Sequence, residues 1–410
     1  MTAHRVLGCL LGLGVALGAL LVLGGYGKLP VSDGAWQWLN DANFTSAGIL
    51  EYQAQEAETA GGAASQAKAV AIYRRLVRRD AANPYRWCDL GEALQTGGEM
   101  AQAVEAFDRA LILGPSIPPV LVRAGNFYFA KGDAELAAKS YSRVLALTHE
   151  YDAIIFLMLR RMGMGAEAVT AKVLPPESQT GANYLDVVKR SGDLEEAAAV
   201  WGWLSKHGLV TDPIAAGYVD FLLQKGKGQA AAHAWAVYAG KRRGDFPEQN
   251  AVYNSRFVNE PSGSPMDWHI ETVEGATSRL VAERTGAQER MLEIGFGGEI
   301  NIAYHHVWQT LWAAPGMYVV RAQVKSEGLT TNSGVQLHLV DPAGHRMDWY
   351  SEPVLGKHDW FWLSGRVTVP NCPSFRLEVV RQLSEKFDSK IAGSIWLKNI
   401  SVTRVGSAAN

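Results

Sequence analysis

Trp360 and Trp362 alternate with Phe361 and Leu363 in the stretch His358 to Val369, which places both indoles on one side of an extended strand. Phe361, Leu363, Val367 and Val369 share the other side. Three further stretches alternate in the same way. Arg321 and Gln323 oppose Val320, Ala322 and Val324; His338 opposes Leu337 and Leu339; Arg376 and Glu378 oppose Phe375, Leu377 and Val379. If the apolar side faces a core, the other side displays flat rings beside amide, imidazole, carboxylate and guanidinium groups. Sugars offer apolar C–H faces edged by hydroxyls, so that mixture suits a glycan. The candidate glycan-binding residues are therefore Trp360, Trp362, Arg321, Gln323, His338, Arg376 and Glu378. The same indoles would serve equally well to pack against another part of the chain.

Other chemistry finds less support. A glycosidase needs two carboxylates about 5 to 10 Å apart, and Glu299, Asp348, Glu352, Asp359 and Glu378 show no spacing that pairs any two of them. No GxSxG, phosphate-binding loop or HExxH is present, and Gly295 to Gly298 reads as a hairpin turn because no helix follows it. His305 and His306 have no acidic or histidine partner at metal-ligand spacing, so no metal and no cofactor is expected. Tyr304, His306, Trp308 and Trp312 share a strand face whose direction, inward or outward, the pattern leaves open. The chain is expected not to be an enzyme.

The elements that must carry these residues lie after Met266. About nine short alternating segments succeed one another, separated by turns such as Ala314-Pro315-Gly316 and Asp341-Pro342, with no helical stretch between them. That pattern predicts an antiparallel β-sandwich over 266–405. Ahead of it, 246–265 is rich in Gly, Pro, Asn and Ser and reads as a linker, and 406–410 is a tail.

The region before the linker repeats. Trp87, Leu90, Gly91, Leu94, Ala103, Phe107 and Ala110 recur 34 residues later as Leu121, Ala124, Gly125, Tyr128, Ala137, Tyr141 and Val144. Small residues at two offsets let paired helices approach, and large ones fill the gap beside them. Ala69 and Tyr73 continue the phase backwards; Gly192, Ala197, Trp201 and Leu204 recur as Gly226, Ala231, Trp235 and Tyr238. Between these the period slips into a shorter hairpin closed by Pro175-Pro176.

This unit resembles the tetratricopeptide repeat, over 63–245. The resemblance implies a groove built from the first helix of each hairpin, lined here by Tyr85, Cys88, Glu92, Gln95 and Thr96, then Pro119, Val122, Asn126, Phe129 and Ala130. The protein-binding candidates are Tyr85, Glu92, Gln95, Asn126 and Phe129 on a face expected to be neutral and mildly apolar. The segments PMDWHI (265–270), QTLWAAPGMY (309–318), AQVKSEGL (322–329) and GSIWLKNISV (393–402) resemble a carbohydrate-binding-module jelly roll. Where such modules often carry an Asp, Lys398-Asn399 stands here. Together the parts are similar to proteins associated with bacterial exopolysaccharide assembly.

Residues 6–25 form an uncharged run of twenty behind His4 and Arg5, long enough to cross a bilayer. We read 1–28 as an anchor or signal segment with a cytoplasmic N-terminus, and 29–62 as juxtamembrane segment and repeat cap. The bulk of the chain is thus expected in the bacterial periplasm, tethered to the inner membrane, or secreted if the segment is cleaved. A net charge of -2 and a pI near 6.6 give no footprint for nucleic acid. Cys9, Cys88 and Cys372 are too scattered for a disulfide framework or a zinc site. The fold class is multidomain α plus β: transmembrane helix, tetratricopeptide-type solenoid and β-sandwich. Two functions fit it, a scaffold binding protein partners and a polysaccharide, or a purely protein-binding envelope assembly factor with a structural sandwich.

Overall fold

The computed structural model describes residues 45–282, 289–342, 346–386 and 389–406. The apolar run 6–25 lies outside them, and among the described residues no helix is long and apolar enough to cross a membrane. The chain forms two compact units divided between Thr180 and Gly181.

The first unit is helical. Its helices are α1 (Ala47–Ala60), α2 (Ala63–Arg79), α3 (Pro84–Thr96), α4 (Met100–Leu113), α5 (Pro118–Lys131), α6 (Ala134–Leu145), α7 (Asp152–Arg161) and α8 (Ala166–Lys172). Local chemistry sets their ends: prolines open α3 and α5, where a missing N–H costs nothing, and the side chains of Asn83 and Asp133 cap the first turns of α3 and α6. Gly132 closes α5 in the left-handed conformation.

The repeat register is visible in how the pairs touch. A Cβ on Gly91 would lie 2.7 Å from the Phe107 ring, and one on Gly125 would lie 2.5 Å from Tyr141. Both contacts occupy the same two offsets, so each hairpin seats a ring from its second helix on a glycine of its first. Phe107 also stacks on Phe127 of the next hairpin, ring centres 4.3 Å apart.

The second unit begins within α9 (Ser178–Ser191) and adds α10 (Leu194–Lys206), α11 (Asp212–Gln224) and α12 (Gly228–Ala239). The 246–265 segment is not a free spacer. Phe246 and Tyr253 pack edge-on, Trp235 of α12 meets Tyr253, and Ala251, Val252 and Phe257 join the sandwich core. The amide of Gln309 accepts from the Tyr253 N–H and donates to its carbonyl at 2.9 and 3.0 Å. Within this unit, therefore, the last helices, the connecting segment and the sandwich form one compact body.

Ten strands follow among the described residues: β1 (His269–Ile270), β2 (Ala276–Ala282), β3 (Arg290–Gly297), β4 (Tyr304–Leu311), β5 (Gly316–Leu329), β6 (Val335–Val340), β7 (Asp348–Tyr350), β8 (Gly356–Val369), β9 (Phe375–Arg381) and β10 (Ala392–Arg404). They pair antiparallel in two five-stranded sheets, β1-β4-β9-β6-β7 and β2-β3-β10-β5-β8, as the alternating pattern requires. Val320, Ala322, Val324, Leu337, Leu339, Leu363, Val367, Leu377 and Val379 are buried between the sheets, each larger side chain contributing about 1.5 to 3 kcal/mol. Phe361, expected in that core, only half enters it. The two sheets come close where Gly365 faces Trp349, since a Cβ on Gly365 would sit 2.2 Å from the indole. Strand β7, which carries Trp349, has too few residues to show an alternation in the sequence.

Candidate binding faces

The seven glycan candidates lie on opposite sides of the sandwich. His338, Arg376 and Glu378 stand on β6 and β9 of the first sheet; Arg321, Gln323, Trp360 and Trp362 stand on β5 and β8 of the second. They cannot line one site. Each outer face has to be built separately.

On the first face, register aligns one side chain from every strand. His269 of β1 lies opposite Trp308 of β4, Trp308 opposite Glu378 of β9, Glu378 opposite His338 of β6, and His338 opposite Tyr350 of β7. Five strands at the usual spacing make this row ~19 Å long. Trp308 is clamped by neighbours from both flanking strands, with the His269 ring stacked on it at 3.8 Å and the Arg376 guanidinium over it at 4.1 Å. His338 stacks on Tyr350 at 4.0 Å. Its two ring nitrogens contact carboxylates, Nδ1 to Glu378 Oε2 at 3.2 Å and Nε2 to Asp348 Oδ1 at 2.7 Å. Only a doubly protonated imidazolium donates to both. Burial alone would lower the His338 pKa, but the two carboxylates outweigh it and raise it. Glu378 responds inversely: burial favours its neutral form, yet His338 and Arg376 hold its pKa below the ordinary carboxylate value. Beyond the row, Glu271 pairs with His306 at 3.5 Å.

This face is also recessed. Although they point away from the core, His338 is 8% exposed and the Glu378 side chain 13%. A bulge in β4 between Tyr304 and Val307 decides which of its residues take part. The extra residue breaks the alternation, so Tyr304 turns inward to bond Ser278 at 2.6 Å while His306 and Trp308 turn outward. The set Tyr304, His306, Trp308 and Trp312 is therefore split between faces. His269, Trp308, Asp348 and Tyr350 are the members that sequence reasoning left out of the site, because neighbours across a sheet depend on strand order.

The second face is open. Trp362 is 54% exposed and Trp360 38%. In register, Lys398 of β10 faces Gln323 of β5, and Gln323 faces Trp362 of β8; Trp396 of β10 faces Lys325 of β5. The Lys398 ammonium lies over the Trp360 ring at 4.4 Å, and that of Lys325 over Trp396 at 5.5 Å. Asn399 sits at the bulge of β10 with φ 51°, a conformation Asn tolerates, and donates to the Gln323 side chain at 2.6 Å. Its neighbour Lys398 fills the place where the resemblance led one to look for an ion-binding Asp. Among the described residues no cluster of His, Cys, Asp and Glu is arranged to hold a metal.

Not every motif residue is a binding residue. In PMDWHI, Met266, Asp267 and Trp268 are buried. Asp267 accepts from the Ser262 N–H and hydroxyl, and the Trp268 indole donates to the Asn254 carbonyl at 3.2 Å. These hold the entry to the sandwich; only His269 of that motif reaches a face.

On the helical unit, Tyr85, Glu92 and Gln95 lie on α3, and Asn126 and Phe129 on α5. The expected neutral, mildly apolar surface is instead laced with charge pairs. Arg86 binds Glu51 and lies 3.7 Å from Asp89; Arg123 binds Asp89 at 2.9 Å and Glu92 at 2.6 Å. The ladder joins α1, α3 and α5, residues 31 to 35 apart in sequence being brought together by the repeat. Burial pushes the Asp89 carboxyl up despite Arg123, and pushes the Cys88 thiol up to about 12. Cys88 is buried, so it lines no groove. Asn126 accepts from the Tyr141 hydroxyl at 2.8 Å, while Tyr85 is exposed.

No family model matches the chain, and no curated protein matches it. Solved structures similar to it include a carbohydrate-binding module, CBM4, at 14% identity and TM-score 0.28, covering 37% of this chain and 98% of that one. Another is the module TmCBM61 in complex with β-1,4-galactotriose, at 13% identity and TM-score 0.26, covering 38% and 99%. A third is YrrB, a TPR protein with an unusual peptide-binding site, at 14% identity and TM-score 0.23, covering 41% and 90%. At these scores the likenesses carry no weight in assigning a ligand. The class the elements define is a helical-repeat chain carrying a two-sheet antiparallel sandwich.

Proposed function

We propose that this chain is a non-catalytic scaffold that binds a neutral polysaccharide on the outer face of the first sheet and protein partners on the face made by α1, α3 and α5. In this reading it is tethered to the bacterial inner membrane by 6–25, lies in the periplasm, and serves exopolysaccharide or cell-surface assembly. The observation that carries the glycan assignment is the row His269, Trp308, Glu378, His338 and Tyr350, one side chain per strand in a recessed face. Its rings are clamped and its charges are held by hydrogen bonds before any ligand arrives, so little ordering cost falls on binding. The charges are largely paired with one another, which favours a neutral sugar over a charged one.

Binding of the full chain to immobilised neutral polysaccharides tests the assignment. Arg376→Ala and Tyr350→Ala are expected to weaken retention while the melting transition of the sandwich persists. Should no neutral polymer be retained, or both variants be retained like the parent, the protein-binding factor with a structural sandwich becomes the better reading. Topology is tested separately: protease added to spheroplasts should digest the chain beyond residue 28, and full protection would remove the periplasmic assignment.

A further inference from the structure

The second outer face is chemically unlike the first. Arg321 of β5 and Arg366 of β8 are exposed and have no carboxylate within ion-pair distance among the described residues. Lys325 and Lys398 lie over indole rings. Of the acidic side chains on this sheet, Glu293 is bound by Arg279 at 2.6 Å and Glu327 lies 3.6 Å from Lys357, while Asp359 stands exposed beside Trp360 at the far end from Arg321 and Arg366. Arg321 and Arg366 thus stand beside three tryptophans, two of which carry an ammonium over the ring. Their path follows the strands: Trp360, Trp362, Ser364 and Arg366 succeed one another along β8, with Lys325, Gln323 and Arg321 beside them on β5. From Trp360 to Arg366 the column is ~20 Å long.

We propose that this column is a second, separate binding site, for an acidic polysaccharide whose sugars carry carboxylates. The exposed Trp362 ring takes the C–H face of a sugar, and Arg321 and Arg366 take carboxylates farther along the polymer as charge-assisted hydrogen bonds. Gln323, Ser364 and Ser401 supply uncharged partners for hydroxyls between them. Charge complementarity identifies the occupant, because a neutral glycan would leave the Arg321 and Arg366 guanidinium groups without a counter-charge. An anionic lipid surface is the weaker match: the rings stand in mid-strand among hydroxyl and amide groups, and an ammonium lies over the Trp360 face. The site does not depend on the first face, and either can fail alone.

The full chain is titrated with polygalacturonate, with neutral galactan, and with vesicles of phosphatidylglycerol. Polygalacturonate is expected to bind more weakly as salt rises. Arg321→Gln with Arg366→Gln should reduce its affinity about tenfold or more, the worth of one or two charge-assisted bonds. Trp362→Ala should reduce it comparably, with unchanged melting in each case, and the double variant should bind galactan like the parent. The proposal is overturned if the parent does not bind polygalacturonate, or if the double variant binds it as tightly. It is also overturned if these same residues govern vesicle binding in preference to the polymer, which would make the surface a membrane face.

Discussion

One hydrophobic core supports two outer faces with opposite electrostatic designs. On the first, every prominent charge has a partner within the face: His338 lies between Glu378 and Asp348, and Glu271 reaches His306. On the second, Arg321 and Arg366 stand exposed with no carboxylate within ion-pair distance among the described residues, and Lys325 and Lys398 lie over indole rings. The first face is recessed and its aligned row crosses the strands; the second is open and its column runs along them. Polar residue types alone therefore do not define a site. Arg376 and Arg321 look alike as outward arginines, yet one clamps an indole and sits 3.6 Å from Glu378 while the other faces solvent.

The largest expected effect breaks both faces at once. Phe375 is 1% exposed beneath β9, and Phe375→Ala should cost about 3 to 5 kcal/mol in denaturant unfolding and remove binding of neutral and acidic polymers together. If either binding survives at full strength, that face does not rest on the common core.

Glu378→Gln separates the faces. It strips one carboxylate from a largely buried imidazolium and should destabilise the sandwich by about 1 to 3 kcal/mol. Polygalacturonate binding, measured where the variant is still folded, should not change. A parallel loss of both would merge the two sites into one.

The same pair predicts a pH window. The folded pKa of His338 is raised above its ordinary 6.5, so its contribution is complete below that value and is lost as pH climbs through the folded pKa. That of Glu378 is lowered below 4.5, so its contribution is complete above that value and is lost as pH falls through the folded pKa. The difference in melting temperature between the parent and His338→Gln should therefore be greatest between about pH 4.5 and 6.5 and shrink on both sides. A difference that stays flat with pH would contradict the ion pair.

The smallest stability effect belongs to the open face. Trp362 is more than half exposed, so Trp362→Ala should shift unfolding by no more than about 0.5 kcal/mol even while it weakens polymer binding. A core-sized loss would mean that the indole packs on something and that the open face is covered in solution.

Much of this architecture was legible in residue order because it rests on local periods. A 34-residue recurrence announced hairpins in which Gly91 and Gly125 receive Phe107 and Tyr141, since a helix repeats its faces every few residues and a glycine beside a ring has one use there. Alternation on β5, β6, β8 and β9 told inward from outward, because successive side chains in a strand point to opposite sides. Strand β7 stayed hidden, having three residues and no period, and the parity of β4 stayed open because a bulge shifts it by one.

By itself, then, the sequence determined which side chains leave the core and which build it, as properties of single strands and helices. It did not determine which of them meet. His269, Trp308, Glu378, His338 and Tyr350 are scattered over more than a hundred residues, and only the strand order β1-β4-β9-β6-β7 sets them in line. The order β2-β3-β10-β5-β8 likewise carries Trp360, Trp362, Arg321 and Gln323 to the far side. Strand order follows from how two sheets close over a shared core, a sum of many non-local contacts that no stretch of the chain contains alone.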